Sequence, residues 1–379
     1  MDDAVTAWRA FCDRMAALGE RLLTDEFPAD VDGGHVDGVR HLVEQVVLFL
    51  GWSVLHADPR RPAFQRHNDL VGRWGGPNVD NVYRHARVDP SLRYRIRGRM
   101  HGCDDWVLAV RAGFMHMPAW GTLRTITASS LGVGRGDDFE VVLDDLPDGA
   151  VMVSVREYYV EWRAEEPATF TIECLDDVGP GVSAGGPGTT DVAAQLRDAA
   201  HHVERSVTYW NDYLREARAG QGDNVFTPPV VVGKGLSMAR YAYCFWDLAD
   251  GDALVVECDV PSARYWSFQL YNLGWFEAFD LDDRIVSVNN AQAALSDDTE
   301  RVEVVVSASD PGVRNWLDTG GRRHGLLMLR WFWPDEDAPP PSPSTRVVSA
   351  ASLSGPVDAE ARRAERRARL DHLSWRFRT

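Results

Sequence analysis

The stretch Met152-Val153-Ser154-Val155-Arg156-Glu157-Tyr158-Tyr159-Val160-Glu161-Trp162 alternates with the period of two that marks a β-strand. Val153, Val155, Glu157, Tyr159 and Glu161 share one face. Met152, Ser154, Arg156, Tyr158, Val160 and Trp162 share the other. Neither face is purely apolar, so whichever meets the core carries Arg156 or Glu157 inward. A carboxylate taken out of water is harder to ionise and suits a general acid. The alternative is a structural ion pair with a neighbouring strand, with Arg95 or Arg97 as partner.

Working outward, Tyr94-Arg95-Ile96-Arg97-Gly98-Arg99 alternates in the same way and puts three arginines on one face. Further strands are expected at 106–110, 139–143 and 169–175. Turn material such as Gly134-Arg135-Gly136-Asp137 and Leu146-Pro147-Asp148-Gly149 divides them. These define a first β domain over 61–178, preceded by a helical segment over 1–60. There Trp8, Phe11, Cys12, Met15 and Leu18 recur at helical spacing, and a second helix over about 36–56 is apolar around much of its circumference. That second helix is expected to be buried on more than one side. Residues 179–222 hold a Gly/Ser/Thr/Pro-rich linker and an amphipathic helix carrying Leu196, Ala199, Val203, Val207, Trp210 and Leu214, with Gly220 placed to cap it. A second β domain follows over 223–348, and the prolines at 339–343 are expected to end its packed region. An arginine-rich helical tail occupies 349–379. The expected fold is mainly β with flanking helices (α+β): two jelly-roll or β-sandwich domains, an N-terminal helical segment, a connecting helix and a C-terminal helix. No repeat of fixed period is visible.

The chain has 379 residues, 45% of them hydrophobic, and a formal net charge of −17. That charge argues against nucleic acid and against an anionic membrane surface. Five cysteines lack any CxxC pairing, and Met1 is followed by two aspartates, so a reducing, cytoplasmic setting is expected. The most apolar run, 46–55, is shorter than the roughly 20 residues of a membrane span. Lys234 is the only lysine, so any Schiff-base chemistry would fall to it; its Val-Gly-Lys-Gly setting reads as a surface loop.

Three ordered motifs in the second half carry a resemblance: Tyr265-Trp266-Ser267-Phe268-Gln269-Leu270-Tyr271-Asn272, then Asn315-Trp316-Leu317, then Leu329-Arg330-Trp331-Phe332-Trp333-Pro334. Over about 253–348 the chain resembles the family catalogued as domain of unknown function 1214. It departs at Asn272, where that family usually has aspartate, and at Asp318, where it usually has proline. The segment from Trp74 to Tyr83 resembles what precedes the domain in longer relatives. The resemblance implies a jelly-roll β-sandwich paired with a second β domain, and implies no reaction.

HExxH, P-loop and EF-hand patterns are missing, and neither a metal nor a cofactor is expected. Gly181-Val182-Ser183-Ala184-Gly185 matches a nucleophile elbow but lies in the linker, away from any strand-to-helix turn. Gly132-Val133-Gly134-Arg135-Gly136 has the wrong spacing for a dinucleotide fingerprint. His201 and Glu204 share a helix face without a third ligand. Met115-His116-Met117 has copper-like chemistry, but a strand would point His116 away from both sulfurs. After Gly75-Gly76-Pro77, the residues Asn78 to Tyr83 carry amides, a carboxylate and a phenol that could hold a polar ligand, or simply cap a loop. Of the many tryptophans, Trp275 with Phe276 is the pair expected to be exposed.

The leading expectation is an enzyme of the hydrolase or lyase class. It would act on a small glycoside-like or alicyclic substrate in a cleft between the β domains. Glu157 and Asp80 are the catalytic candidates, and Asn78, Asn81, Tyr83, Arg156, Tyr158 and Trp275 the substrate-binding ones. The alternatives are a non-catalytic module binding an apolar ligand, or a structural subunit of a homo-oligomer joined through the arginine-rich helix.

Overall fold

Most strands lie where period-two alternation places them, and the strands build four sheets. The computed structural model describes residues 2–24, 34–66, 72–161, 166–176, 191–279, 284–296, 301–355 and 357–376. Trp162 and most of the linker, with the Gly181–Gly185 motif, lie outside the described residues. Helices α1 (Asp2–Arg21) and α2 (Gly34–Leu50) come first. The first half then carries β1 (Gln65–Arg66), β2 (Asn81–Arg87), β3 (Tyr94–Arg99), β4 (Asp105–Arg111), β5 (Thr122–Thr127), β6 (Asp138–Leu143), β7 (Met152–Tyr158) and β8 (Thr169–Cys174). Helix α3 (Val192–Gln221) connects it to β9 (Ala239–Asp247), β10 (Asp252–Asp259), β11 (Ala263–Tyr271) and β12 (Ser287–Asn289). The chain then forms β13 (Arg301–Ser307), β14 (Trp316–Asp318), β15 (His324–Pro334), β16 (Ser344–Ser349) and α4 (Ala359–Arg376).

Each half is a sandwich, and the two halves share one strand order. The first packs sheet β1-β2-β7-β4-β5 on β6-β3-β8; the second packs β12-β11-β15-β9 on β14-β13-β10-β16. Strand for strand, β2-β7-β4-β5 corresponds to β9-β15-β11-β12, and β6-β3-β8 to β13-β10-β16. The repeat is one of topology, which no fixed sequence period announces. Inside the first sandwich Val82, Ile96, Trp106, Leu108, Val153, Val155 and Phe170 close one core. Inside the second, Leu254, Val256, Trp266, Phe268, Val304, Leu327, Leu329 and Trp331 close another.

The central sheets of the two sandwiches also pack on each other. Val107, Ala109 and Tyr158 meet Ala239, Tyr265 and Phe332 at this seam. Strand β7 is therefore covered on both faces: Val153 and Val155 face their own sandwich, Arg156 and Tyr158 face the other. This explains why neither face is purely apolar.

Glu157 points into the first sandwich. It is fully buried, accepts from Arg84 Nε at 2.6 Å, and accepts from the Tyr159 hydroxyl at 2.6 Å. The ion pair is thus made with β2 and not with Arg95 or Arg97. Those two arginines pair on the surface with Glu173 and Glu140.

Helices cover one end of the seam. Asp191 caps α3 by accepting from Ala194 N at 2.8 Å, and the helix stops at Gly222 (φ 83°) rather than Gly220. Helix α2 buries His41, Leu42, Gln45, Leu48 and Phe49 but leaves Val36, Val39, Val43 and Val47 exposed, so only one side is covered. Its continuation to Leu55 makes one helical stretch, His35–Leu55, long and apolar enough to cross a membrane by length and composition, half of it buried in the fold. The prolines at 339–343 do not end the packing: β16 follows and pairs with β10. Strands β1, β2, β5, β14 and β16 are absent from the sequence expectation, and β2 takes over part of what was read as a ligand loop.

Helix α2 is tied to the second sandwich by His41 Nδ1, 2.7 Å from Glu277 Oε1, both side chains buried. Beside them Glu44 accepts from Arg73 N at 3.2 Å. Burial, and then the nearby Glu277 carboxylate, push Glu44 up to about 7. Burial works against ionised Glu277 too, but His41, Arg73 and Asn272 together hold Glu277 below its ordinary value.

Two outcomes follow. Removing one partner of a buried pair costs about 3–5 kcal/mol, so Glu157→Ala should lower the thermal midpoint markedly and Glu157→Gln less. An unchanged midpoint for the alanine variant would mean that the pair does not hold the core. Glu44 keeps its proton in the folded chain at pH values where the unfolded chain has lost it, because about 7 exceeds the ordinary 4.5. Stability should therefore fall as pH rises from about 4.5 to about 7, and Glu44→Gln should flatten that fall in urea titrations.

Candidate functional site

The seam between the sandwiches opens into a cavity of about 100 Å³. Three strands supply arginines to its lining: Arg111 at the end of β4, Arg156 in β7 and Arg330 in β15. Among the described residues, no acidic side chain lines it. Arg330 is almost wholly buried, and its Nε, like that of Arg111, has no hydrogen-bond partner. Burial, and then the neighbouring Arg156 charge, bring Arg111 down to about 10, which still leaves it cationic at neutral pH.

The register places a tyrosine opposite two of these arginines. Tyr83 on β2 faces Arg156 on β7, and Tyr241 on β9 faces Arg330 on β15. The Arg156 guanidinium stands 5.5 Å from the Tyr83 ring centroid, and Arg330 stands 5.9 Å from that of Tyr241. Strands β7 and β15 hold equivalent positions in the two sandwiches, so each half contributes one Arg–Tyr pair.

The motif Tyr265 to Tyr271 builds the floor beneath Arg330. Alternation turns Trp266, Phe268 and Leu270 into their own core, and Tyr265, Ser267, Gln269 and Tyr271 into the seam. The Tyr265 hydroxyl lies 2.7 Å from Asp80 Oδ2, 2.9 Å from Asn78 Oδ1 and 2.7 Å from Ser267 Oγ. Gln269 Nε2 donates to Asn78 Oδ1 at 2.7 Å, and Gln269 Oε1 accepts from the Tyr271 hydroxyl at 2.6 Å. Tyr271 in turn accepts from Arg330 Nη2, which also donates to Gly76 O at 2.9 Å. A continuous buried chain therefore runs from the Asp80 carboxylate to Arg330, and such networks fix a side chain's position. Burial drives the phenols of Tyr265 and Tyr271 well above the ordinary tyrosine value, so they stay neutral donors.

The walls are aromatic: Trp120, Trp210, Tyr213, Tyr243 and Phe276, with Met115 and Met328 between them. Gly76 must be glycine: its φ is 61°, and a Cβ there would sit 2.3 Å from the Phe276 ring. Phe276 itself holds φ 54°, a conformation a phenylalanine keeps only when its surroundings impose it. At the rim, Lys234 is exposed, its Nζ 5.5 Å from the Trp120 centroid.

Of the residues expected at a site, Tyr83 and Arg156 line the cavity. Asp80 and Asn78 lie one layer below, in the network that holds Arg330. Glu157 is on the far side of its sheet. Asn81 and Tyr158 are buried next to the seam; Tyr158 packs against Tyr265 and Phe332, and neither residue lines the cavity. Trp275 is not exposed but fully buried, its ring stacked 5.4 Å from His41. Phe276 is buried as well, and it is the member of that pair that reaches the cavity.

Met115, His116 and Met117 lie in a turn, not a strand. Met115 meets the cavity, while His116 Nε2 lies 3.1 Å from His202 Nδ1 among aromatic rings. His201 is exposed and Glu204 pairs with Arg14 at 2.5 Å. Among the described residues, no three His, Cys, Asp or Glu side chains converge as metal ligands would. The sequence reading passed over Arg111, Tyr241 and Arg330. The signal available for them was an arginine or tyrosine at the centre of a strongly apolar strand, as in Leu-Met-Leu-Arg-Trp-Phe.

The chain matches no family model and no curated protein. Among solved structures, it is similar to a protein from Vibrio parahaemolyticus at 12% identity, covering 82% of this chain and 98% of that one, with a TM-score of 0.45. It is similar to an uncharacterized protein from Burkholderia cenocepacia at 29% identity, covering 92% of this chain and 98% of that one, with a TM-score of 0.81.

Proposed function

We propose that this chain binds a small organic anion in the cavity between its two sandwiches. The observation that carries this reading is the convergence of Arg111, Arg156 and Arg330 on one cavity that, among the described residues, no carboxylate lines. Buried cations are costly unless paired, and a guanidinium offers the fork of donors that carboxylates and other oxyanions fit. The aromatic and methionine walls supply the apolar body of a small-ligand site, and Lys234 at the rim adds a positive charge to the approach.

A small-molecule site between the β domains agrees with the expectation from sequence, but the ligand class changes from apolar or glycoside-like to anionic. Carboxylate acid–base catalysis finds no support at this cavity, because Glu157 and Asp80 both lie outside its lining. A binding function is therefore the reading favoured here. The likeness of 253–348 to the domain of unknown function 1214 adds no reaction.

The test is ligand-induced stabilisation. A ligand at about 100 times its Kd stabilises the folded chain by about 2.7 kcal/mol, a readily measured rise in melting temperature. Sulfate, phosphate and short carboxylates should include at least one that protects the wild-type chain. Because a hydrogen bond to a charged group contributes about 1.5–3 kcal/mol, Arg156→Met should weaken that ligand about tenfold or more, and the double variant Arg111→Met with Arg156→Met at least as much. If no anion protects, or if the double variant is protected equally, the reading fails.

A further inference from the structure

We infer that the ligand is a short dicarboxylate, held with one carboxylate on each sandwich's Arg–Tyr pair and its carbon spacer between the aromatic walls. This rests on the anion-site reading above and makes it more specific.

The two sandwiches have the same strand order. They face each other through corresponding sheets, and the cavity opens where the strands β7 and β15 confront one another. Each presents an arginine set against a tyrosine of the adjacent strand: Arg156 with Tyr83, Arg330 with Tyr241. A site built twice around one cavity suits a ligand with two like ends. Charge counting gives the same answer. Among the described residues, three guanidinium groups and no acidic side chain line the cavity, so a monoanion would leave two cations unmatched. A dianion leaves one, Arg111, which lies at the end of β4 towards the rim loop containing Trp120. Tyrosine hydroxyls beside the arginines can donate to the outer carboxylate oxygens. Size limits the spacer: about 100 Å³ is somewhat less than the roughly 150 Å³ that holds a benzene ring, so the chain between the carboxylates is short. Phe276 and Met328 give it apolar contact without hydrogen-bonding groups of their own, and Trp210 adds an indole whose Nε1 has no hydrogen-bond partner.

The test uses the full chain and isothermal titration at one ionic strength, with malonate, succinate, propionate, butyrate and sulfate as probes. Malonate or succinate should bind at least tenfold tighter than the monocarboxylate of matched length. In Arg156→Met, the dicarboxylate should fall to the affinity of the monocarboxylate, which retains the Arg330 end. Equal affinity for mono- and dicarboxylates in the wild-type chain overturns the two-ended ligand and leaves the anion site standing. Tighter binding of sulfate than of either dicarboxylate overturns it in favour of one compact dianion. If none of the five binds, the anion-site reading fails and this inference fails with it. The wild-type comparison needs no substitution, so a variant that misfolds does not blunt the test.

Discussion

Guanidinium groups buried between two sheets set the conditions that the rest of the molecule meets. An arginine cannot shed its proton near neutral pH, so once the central sheets close on one another the charge must be held by whatever the seam provides. Here it is held by phenols, amides and backbone carbonyls. Arg330 is fixed by Tyr271 and Gly76, and Tyr271 by Gln269. Behind Gln269 stand Asn78, Ser267 and Tyr265, with Asp80 at the far end. The Asp80 carboxylate thus stabilises the network from outside the cavity's lining.

The duplicated strand order explains how such a site arises from two unremarkable sandwiches. Each interior is closed with aliphatic and aromatic side chains, Trp106 in one and Trp246 in the other being fully buried. Chemistry is left to the faces turned towards each other. Helices α2 and α3 then close one end of the seam, with Trp210 of α3 forming a wall of the cavity. Function, on this reading, belongs to neither half alone.

Much of this was legible from alternation. The strands at 94–99, 106–110, 139–143 and 169–175, the long α3 helix and the flanking helical segments all lie close to where their hydrophobic periods put them. The strand at 152–162 posed the right question, Arg156 or Glu157 inward, but on a premise of one buried face. With both faces covered, both residues go inward, and to different places: Glu157 to an ion pair in its own core, Arg156 to the cavity. Pairing across sheets is a long-range matter that local pattern does not encode, which is why Arg84 escaped notice as the partner and Arg330 as the opposing cation. Asn78 to Tyr83 looked like a loop because amides and aspartate favour turns; the turn is there, but the chain enters β2 at Asn81 and buries these groups. Trp275 looked exposed because it lies in the loop after Asn272, yet Gly38 of α2 leaves room for its ring.

The scarcity of lysine has a practical consequence. Forty basic residues include a single primary amine side chain, and it stands exposed beside Trp120 at the cavity's edge. Amine-selective reagents therefore find one side-chain amine in the whole chain, the α-amine apart. A fluorophore attached there would report quenching by an indole that forms part of the cavity's own wall, giving an optical window on occupancy without any substitution.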